Sequence, residues 1–468
     1  MVIVVLSFTV FLLSINIVWY TGYTIPLIAL AKSILKHDFT IPPDLCIYVD
    51  TALVNDKCIF AGPIGLPLVL SISILLSQYI NIGNELFVGG LTTSLFGILT
   101  IIASWKLYMI IMGDSRTALI VSVINAFSGP LWIYSTHLFP QAPLSFAFAF
   151  FLYLAFRGIK GALREFEYIL GGFVASLAIA FDPSITIAVG IASIIVLLKY
   201  LHAFRKSLIK LSTIVKYVGL YILGFLPLIT FILLYNHIIT SNPLSFPEFF
   251  MLKRWGIPNY GFTTLPIVGL YILLFDLRKG LFISYPIYVV ALAHINSFIK
   301  VFKDKYDRLL YVGSIIAPLL VYSIWYDPGG GLSYGPRFAV PITTLLAAPL
   351  LLISRNIQRE CGGIGVIPTL ITGLSVYSII KNSVVLTTTP YPSSLKDLDI
   401  WQNQFIHSVI PQFYAGTRSS HLYYLIKGLV YTEPVVTILS ILIPTTLVMI
   451  VITISLVFWP KTMSSSSK

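Results

Sequence analysis

Residues 217–240 read YVGLYILGFLPLITFILLYNHIIT, and this stretch contains no Asp, Glu, Lys or Arg. It is longer than the roughly 20 apolar residues that an α-helix needs to cross the hydrocarbon core of a bilayer. The preceding loop, 199–216, contains five Lys and Arg residues and no acid. An apolar run next to a basic loop is typical of a membrane-spanning helix with one end at the cytoplasmic face.

Similar apolar stretches occur along the whole chain, and none shows a strict alternation of polar and apolar residues. Of the 468 residues 57% are apolar and only 10% are charged, whereas soluble domains average about 45–50% and about 25%. The sequence therefore predicts an all-α, polytopic transmembrane bundle rather than a soluble or disordered protein. The other stretches lie at 2–20, 64–80, 86–105, 117–135, 144–156, 168–181, 184–198, 281–299, 309–325, 338–354, 362–380 and 434–459.

The Lys and Arg residues predict the orientation of these spans. The loops assigned to the inner side, with the C-terminal tail, contain 18 basic and 6 acidic residues, and the rest of the chain contains 12 of each. The net charge of +12 thus lies on one side and needs no nucleic-acid partner to explain it. We predict about twelve spans with both termini cytoplasmic if 64–80 is an interfacial or re-entrant helix. If 64–80 crosses the membrane, the N-terminus lies outside.

Several classes of chemistry have no signature in this sequence. There is no zinc-protease motif, no pair of closely spaced cysteines and no nucleotide-binding phosphate loop. Charged residues gather at the outer rim of the spans rather than near the bilayer midplane, which argues against ion-coupled transport. Cys46 and Cys58 share the long outer loop 35–63, where the oxidising environment permits a disulfide. The spacing alone leaves open whether they pair.

The outer loops collect ionisable residues that the topology does not require. Carboxylates in the first loop and arginines near the lipid interface suit one task, in which the arginines hold an anionic lipid head group while a carboxylate activates an acceptor hydroxyl. The alternative is a set of solvated aspartates and of basic side chains that extend to the interface. Asp182 has a second explanation as the cap of the helix that begins at Pro183. The residues concerned are Asp38, Asp44, Asp50, Asp56, His137, Gln141, Asp182, Asp276, Arg278, Lys279 and Arg337.

A series of short patterns, in order along the chain, resembles the GT-C class of membrane glycosyltransferases, in the branch of protein O-mannosyltransferases and aminoarabinose transferases. The resemblance implies a sugar donor linked to polyprenyl or dolichyl phosphate, and an acidic catalytic residue just after the first span. Residues 20–24, at that place, contain no acid, and Gln141 stands where such enzymes often have Asp or Glu. The patterns are FAGPIGLP at 60–67, GPLW at 129–132, HLFP at 137–140, YN at 235–236, NPL at 242–244, GLY at 269–271, RKGLF at 278–282 and GLSYGPRF at 331–338.

The leading hypothesis is therefore an inverting glycosyltransferase in the cell membrane, with its active face outside. Asp50 or Asp38 would take the acceptor proton, and Arg337, helped by Arg278 or Lys279, would stabilise the departing lipid phosphate. A divalent cation is an alternative source of positive charge, although the sequence shows no convincing ligand set. The further residues expected to bind substrate are His137, Gln141, Asp182 and Tyr334.

Two other functions remain open at this stage. One is a transporter or flippase for a lipid-linked substrate, and the other is a non-catalytic membrane protein of the same fold. For the leading hypothesis we expect a GT-C-like transmembrane catalytic module at 1–354, with the outer loops 35–63, 241–280 and 326–337. A C-terminal transmembrane region at 355–468 follows, with the outer loop 382–431.

Overall fold

The computed structural model describes residues 2–15, 23–48, 50–80, 84–276, 279–330, 335–353, 366–387, 445, 446, 448 and 450. Arg278, Tyr334, the loop 382–431 beyond residue 387 and nearly all of the expected span 434–459 lie outside this part of the chain. The number of spans, the sides of the termini and the division near residue 354 therefore stay predictions.

The described chain is almost entirely helical, as the sequence predicted. The helices are α1 (Val2–Leu13), α2 (Thr24–Ile34), α3 (Gly65–Ile80), α4 (Glu85–Met112), α5 (Ser115–Ser128), α6 (Leu131–Thr136), α7 (Gln141–Ile159), α8 (Glu165–Phe181), α9 (Thr186–Arg205), α10 (Leu211–Thr240), α11 (Pro247–Arg254), α12 (Pro266–Phe275), α13 (Leu281–Ser284), α14 (Ile287–Ala293), α15 (Ile295–Ile299), α16 (Lys305–Ser323), α17 (Thr343–Ala347) and α18 (Val366–Thr387). Short 3₁₀ turns lie at Pro43–Ile47, Pro183–Ile185, Asn259–Gly261 and Arg337–Ile342.

Four of the described helical segments are long and apolar enough to cross a membrane. They are α4, α7, α10 and the segment Pro183–Arg205, which joins a 3₁₀ turn to α9. Most of α10 is not covered by other parts of the described chain, so its apolar surface suits contact with lipid. The chain is thus a helical membrane protein.

Helices α8 and α10 pack closely because glycines face each other across their contact. A Cβ atom on Gly172 would lie 1.9 Å from the carbonyl oxygen of Tyr221, and one on Gly224 would lie 1.8 Å from that of Ile169. Only glycine fits at these two positions, since the backbones themselves are in contact. Small residues at a crossing are a common means of joining helices in membranes.

The apolar stretch 281–299 is not one continuous helix. The structure divides this stretch into α13, α14 and α15, with breaks at Tyr285-Pro286 and at His294. Tyr285 has an extended φ of −139°, because the ring of a following proline disfavours the helical conformation. Apolar content alone did not reveal this break.

The first outer loop is not plain coil, and it contains the β-structure of the described chain. Strands β1 (Thr51–Val54) and β2 (Lys57–Phe60) form an antiparallel hairpin. Asn55 and Asp56 form its turn with φ of 49° and 59°, the left-handed values that two-residue hairpin loops need and that Asn and Asp tolerate. Cys46 and Cys58 form a disulfide with Cα atoms 5.7 Å apart, which joins the 3₁₀ turn Pro43–Ile47 to β2.

Candidate active site

A small cavity of about 60 Å³ lies where the first outer loop, α11, the C-terminal end of α8 and the 3₁₀ turn at Arg337 meet. Its polar lining includes three carboxylates and one guanidinium, which come from segments far apart in the sequence. The polar residues that matter below are Tyr23, Asp50, Gln141, Asp182, Glu248 and Arg337.

Asp50 stands directly before β1, and the hairpin fixes its backbone. The amide of Ala61, just after β2, donates a hydrogen bond of 2.9 Å to the carbonyl oxygen of Asp50. The disulfide at Cys58 holds the opposite strand to the preceding turn. Burial raises the pKa of Asp50 to about 6, although the nearby Arg337 guanidinium lowers it. Asp50 is thus a carboxylate that titrates close to neutral pH.

Asp182 both ends α8 and faces the cavity. Its Oδ1 accepts a hydrogen bond of 2.9 Å from the amide of Ser184, the capping contact that the Asp-Pro sequence suggested. Its Oδ2 accepts one of 2.8 Å from the hydroxyl of Tyr322 on α16. A Cβ on Gly65 would lie 2.5 Å from the carbonyl oxygen of Ala180, so glycine allows α3 to start against this end of α8. The capping role and the cavity role therefore coexist.

Glu248, in the first turn of α11, is a site residue that the sequence analysis missed. It is half-buried beside the cavity. Burial raises its pKa to about 8, to which the negative charges of Asp182 and Asp50 add, while Arg337 opposes the shift. One signal was available, because Glu248 is the single acidic residue of 241–275. A loop acid with aromatic neighbours is otherwise indistinguishable from a solvated one.

Arg337 supplies the positive charge of the cavity. Its guanidinium lies 4.7 Å from the ring centre of Phe338, and within the described ranges it makes no ion pair and its Nε has no hydrogen-bond partner. Gly330 has a φ of +78°, and a Cβ there would lie 2.6 Å from Cγ of Arg337. Gly330 thus leaves room for the arginine stem, which a larger residue would displace.

Two more polar atoms of the cavity lack partners in the described structure. The hydroxyl of Tyr23 and Oε1 of Gln141 are buried and accept or donate no hydrogen bond there. A buried polar group without a partner costs about 1–3 kcal/mol, and such groups are rare in folded proteins. These two residues and Arg337, whose Nε also lacks a partner, line the same cavity, so its wall offers polar groups to a polar ligand.

The remaining expected site residues lie elsewhere. Asp38 is exposed, and its carboxylate accepts hydrogen bonds from the amide and hydroxyl of Thr40 in a local turn. His137 is buried in the bundle, where its Nδ1 donates to the carbonyl oxygen of Ile133 at 2.7 Å. Lys279 is buried, with Nζ 3.3 Å from the carbonyl oxygen of Gly329. None of the three lines the cavity, although Lys279 lies beside the Gly329–Gly330 segment that contacts the Arg337 side chain.

The sequence left a divalent cation open as a source of positive charge at this site. No three His, Cys, Asp or Glu side chains of the described ranges lie close enough together to hold a metal ion. The divalent cation stays a prediction, and no step below uses it.

Arg254, at the end of α11, connects the segment that contains Glu248 to the one that contains Asp50. Its Nη1 donates to the carbonyl oxygen of Cys46 at 2.9 Å and to that of Thr51 at 3.5 Å. Both acceptors flank Asp50 along the chain. We therefore assign Arg254 a positioning role, since it sets where the hairpin lies relative to α11.

We predict that Arg254→Gln loosens the hairpin. The loss of a charge-assisted hydrogen bond at a solvent-exposed position costs about 1 kcal/mol, so amides of β1 and β2 should exchange their hydrogens several-fold faster. Hydrogen exchange followed by mass spectrometry measures this. Lys253→Gln is the matched control, because Lys253 is the exposed neighbour on the same helix. Equal exchange in the two variants would contradict the positioning role.

Solved structures with this architecture exist. The structure of ArnT from Cupriavidus metallidurans bound to undecaprenyl phosphate superposes with a TM-score of 0.54 and 13% identity over 97% of this chain and 76% of that one. The apo state of the same protein superposes with a TM-score of 0.51 and 12% identity over 97% of this chain and 75% of that one. A third structure is the archaeal oligosaccharyltransferase AglB from Archaeoglobus fulgidus in complex with an inhibitory peptide and a dolichol-phosphate. It superposes with a TM-score of 0.47 and 12% identity over 90% of this chain and 59% of that one. No protein-family model and no curated protein sequence matches the chain.

The chain therefore has the fold of ArnT, and the GT-C resemblance of its sequence patterns is confirmed at the level of the fold. The match spans nearly the whole chain, so the cavity with Asp50 and Arg337 lies within the shared architecture. A fold by itself hosts more than one function, and the chemistry has to be argued from the cavity.

Proposed function

We propose that this protein is an inverting glycosyltransferase that takes its sugar from a polyprenyl- or dolichyl-phosphate-linked donor at the outer membrane face. The observation that carries the proposal is the guanidinium of Arg337, without an ion-pair partner in the described chain, beside the titratable carboxylate of Asp50. A phosphate leaving group and an acceptor hydroxyl require those two groups. The undecaprenyl phosphate bound to ArnT supports a lipid phosphate as part of the donor.

The reaction divides between these two residues. Asp50 accepts the proton of the acceptor hydroxyl as its oxygen forms a bond to the anomeric carbon of the sugar. The bond from that carbon to the phosphate oxygen breaks, and its electron pair stays on the phosphate. Arg337 stabilises the additional negative charge on the departing lipid phosphate. A single displacement of this kind inverts the configuration at the anomeric carbon.

The two carboxylates Asp50 and Glu248 fall into different roles because their pKa values differ. With a pKa of about 6, Asp50 is mostly ionised at pH 7 and is available as the base. With a pKa of about 8, Glu248 is mostly protonated and donates a hydrogen bond, for example to a sugar hydroxyl. Neighbouring carboxyl groups whose environments separate their pKa values commonly act as base and proton donor in this way.

The purified chain, incubated with a panel of polyprenyl-phosphate sugars and a membrane extract as acceptor source, tests the proposal. We expect release of free polyprenyl phosphate together with labelled acceptor. Movement of intact donor across a reconstituted bilayer without cleavage would instead identify a transporter. Binding of the donor without either outcome would identify a non-catalytic protein of this fold.

The proposal predicts a bell-shaped dependence of kcat/KM on pH. Activity should fall as the pH drops through about 6, because the raised pKa of Asp50 makes the base protonated below it. Activity should also fall as the pH rises through about 8, where Glu248 loses its proton. Glu248→Gln keeps a hydrogen-bond donor and should remove the alkaline limb while leaving the acidic one.

Asp38→Asn is the control for this profile, because Asp38 is exposed and does not line the cavity. Its pH profile should match that of the wild type. If the alkaline limb of the kcat/KM profile persists unchanged in Glu248→Gln, Glu248 is not the proton donor of the reaction.

A further inference from the structure

A second and larger cavity, of about 240 Å³, lies between α7, α8, α9 and α10. We call it the tyrosine crevice, because Tyr168, Tyr200, Tyr217 and Tyr221 form much of its wall. The first part of α8, as far as Gly171, lines the crevice, whereas Asp182 follows the C-terminal end of that helix. Asp182 lies eleven positions after Gly171, which corresponds to about 16 Å along the helix axis. The crevice is therefore separate from the candidate active site.

The walls of the tyrosine crevice are mostly apolar, although they contain hydroxyl groups and the carboxylate of Glu167, which forms an ion pair with Arg157. The hydroxyls of Tyr168 and Tyr200 are 2.8 Å apart, and that of Tyr200 also donates to the carbonyl oxygen of Gly158 at 2.9 Å. The hydroxyl of Tyr221 lies 2.9 Å from Oγ of Ser193. These polar groups are satisfied within the protein, so ring faces and aliphatic side chains remain for a ligand. Such a lining suits a hydrocarbon.

Basic residues flank the tyrosine crevice along the chain. Arg164 directly follows the lining residue Leu163, and Lys216 directly precedes the lining residue Tyr217. Arg164 is exposed, and Lys216 is about half exposed with Glu165 as its ion-pair partner. The loop 199–216, which joins α9 to α10, adds basic residues and no acid. An apolar crevice beside a positively charged surface is complementary to a molecule with a hydrocarbon chain and an anionic head.

We propose that the tyrosine crevice binds one hydrocarbon chain of an anionic phospholipid, with the lipid phosphate held by Arg164 and Lys216. The positive-inside pattern assigns this end of the helices to the cytoplasmic side, and the cytoplasmic leaflet is the one that contains anionic lipids. The volume, somewhat below the roughly 300 Å³ at which drug-sized pockets begin, fits a single chain rather than a whole lipid. This binding site goes beyond the glycosyl transfer proposed above and does not depend on it.

Gly171 offers a way to fill the crevice without disturbing the helices. A Cβ at Gly171 would meet only ordinary contacts, at 3.8 Å from the ring of Tyr221 and 3.9 Å from Leu154. Gly171→Leu should therefore place its side chain in the space that the lipid chain would occupy. Gly219→Leu is the matched control, because Gly219 is on α10, exposed and without neighbours within 4 Å of its Cβ position.

The test measures the thermal stability of the purified full chain in detergent. We expect dioleoyl phosphatidylglycerol to raise the Tm of the wild type and of Gly219→Leu by about 3 °C or more. Gly171→Leu should lose this shift, and Arg164→Gln should lose the preference for phosphatidylglycerol over dioleoyl phosphatidylcholine. An equal shift in Gly171→Leu and wild type would overturn the proposal, as would an equal shift with phosphatidylcholine or with inorganic phosphate alone.

A second measurement uses the wild type alone and so remains decisive if Gly171→Leu does not fold. Phosphatidylglycerol with a photoactivatable group on one acyl chain should label peptides from α8 and α10 that contain Tyr168 or Tyr217. Labels confined to other helices would overturn the proposal.

Discussion

Arg337→Ala is expected to abolish use of a polyprenyl-phosphate sugar while leaving expression and thermal stability close to those of the wild type. The guanidinium makes no ion pair within the described residues, so its removal breaks no direct salt bridge. It removes only the charge that lowers the pKa values of Asp50 and Glu248, which can respond by taking up protons. The missing contact would be the one to the lipid phosphate. Loss of a charged pair in a site partly shielded from water costs about 2–5 kcal/mol. This corresponds to a decrease in kcat/KM of about 30-fold to several thousand-fold.

Arg337→Lys separates a phosphate-binding role from a structural one. A lysine keeps the charge but lacks the planar guanidinium that donates hydrogen bonds to two phosphate oxygens at once. It should therefore restore activity only in part. If Arg337 were merely an interfacial anchor, lysine would substitute fully. Arg308→Ala is the matched control, since its guanidinium donates to backbone carbonyl oxygens of Phe302 and Lys303. Arg308 lies on α16 fourteen residues, or about 21 Å, from the cavity residue Tyr322. Equal turnover in wild type and Arg337→Ala would refute the assignment.

Asp50→Asn is expected to lower kcat by about 10²–10⁴-fold, the usual contribution of a positioned general base. The change is nearly isosteric, so the hydrogen bond from the Ala61 amide to the Asp50 carbonyl oxygen should survive. Donor binding should survive as well, because it depends on Arg337. The expected signature is therefore a loss in kcat with little change in KM, together with loss of the acidic limb of the pH profile.

The same hairpin provides a control for Asp50. Asp56 lies in its turn, exposed and with a positive φ that asparagine accepts as readily as aspartate. Asp56→Asn should therefore retain both stability and turnover. If Asp50→Asn retains full kcat, the base must be sought at Glu248 or Asp182, which line the same cavity.

The cavity also accounts for a departure of this sequence from the GT-C pattern. The resemblance implies an acid just after the first span, yet residues 20–24 contain none. Tyr23 from that segment lines the cavity, and carboxylates reach the same space from the hairpin and from α11. On the proposed function, Asp50 and Glu248 supply the acidic function that this chain lacks after its first span.

The amino-acid sequence was sufficient for the class of protein, and it named four residues that the structure places around one cavity. In lipid, the backbone N–H and C=O groups of a long uncharged run such as 217–240 find no water to bind. A helix provides a hydrogen-bond partner for each of these groups within the segment itself. The helical membrane fold therefore followed from composition and charge placement. Asp50, Gln141, Asp182 and Arg337 were named from their outer-face positions, and all four line one cavity.

The tertiary structure was needed wherever the outcome depends on contacts between distant segments. Asp38 and Asp50 are the same residue type in one loop, yet only the hairpin and its contact with α11 bring Asp50 to Arg337. Glu248 becomes a site residue because α11 buries it near two other acids, and its pKa depends on that burial and not on its sequence neighbours. Burial and electrostatic coupling are properties of position in space, and a local sequence pattern does not contain them.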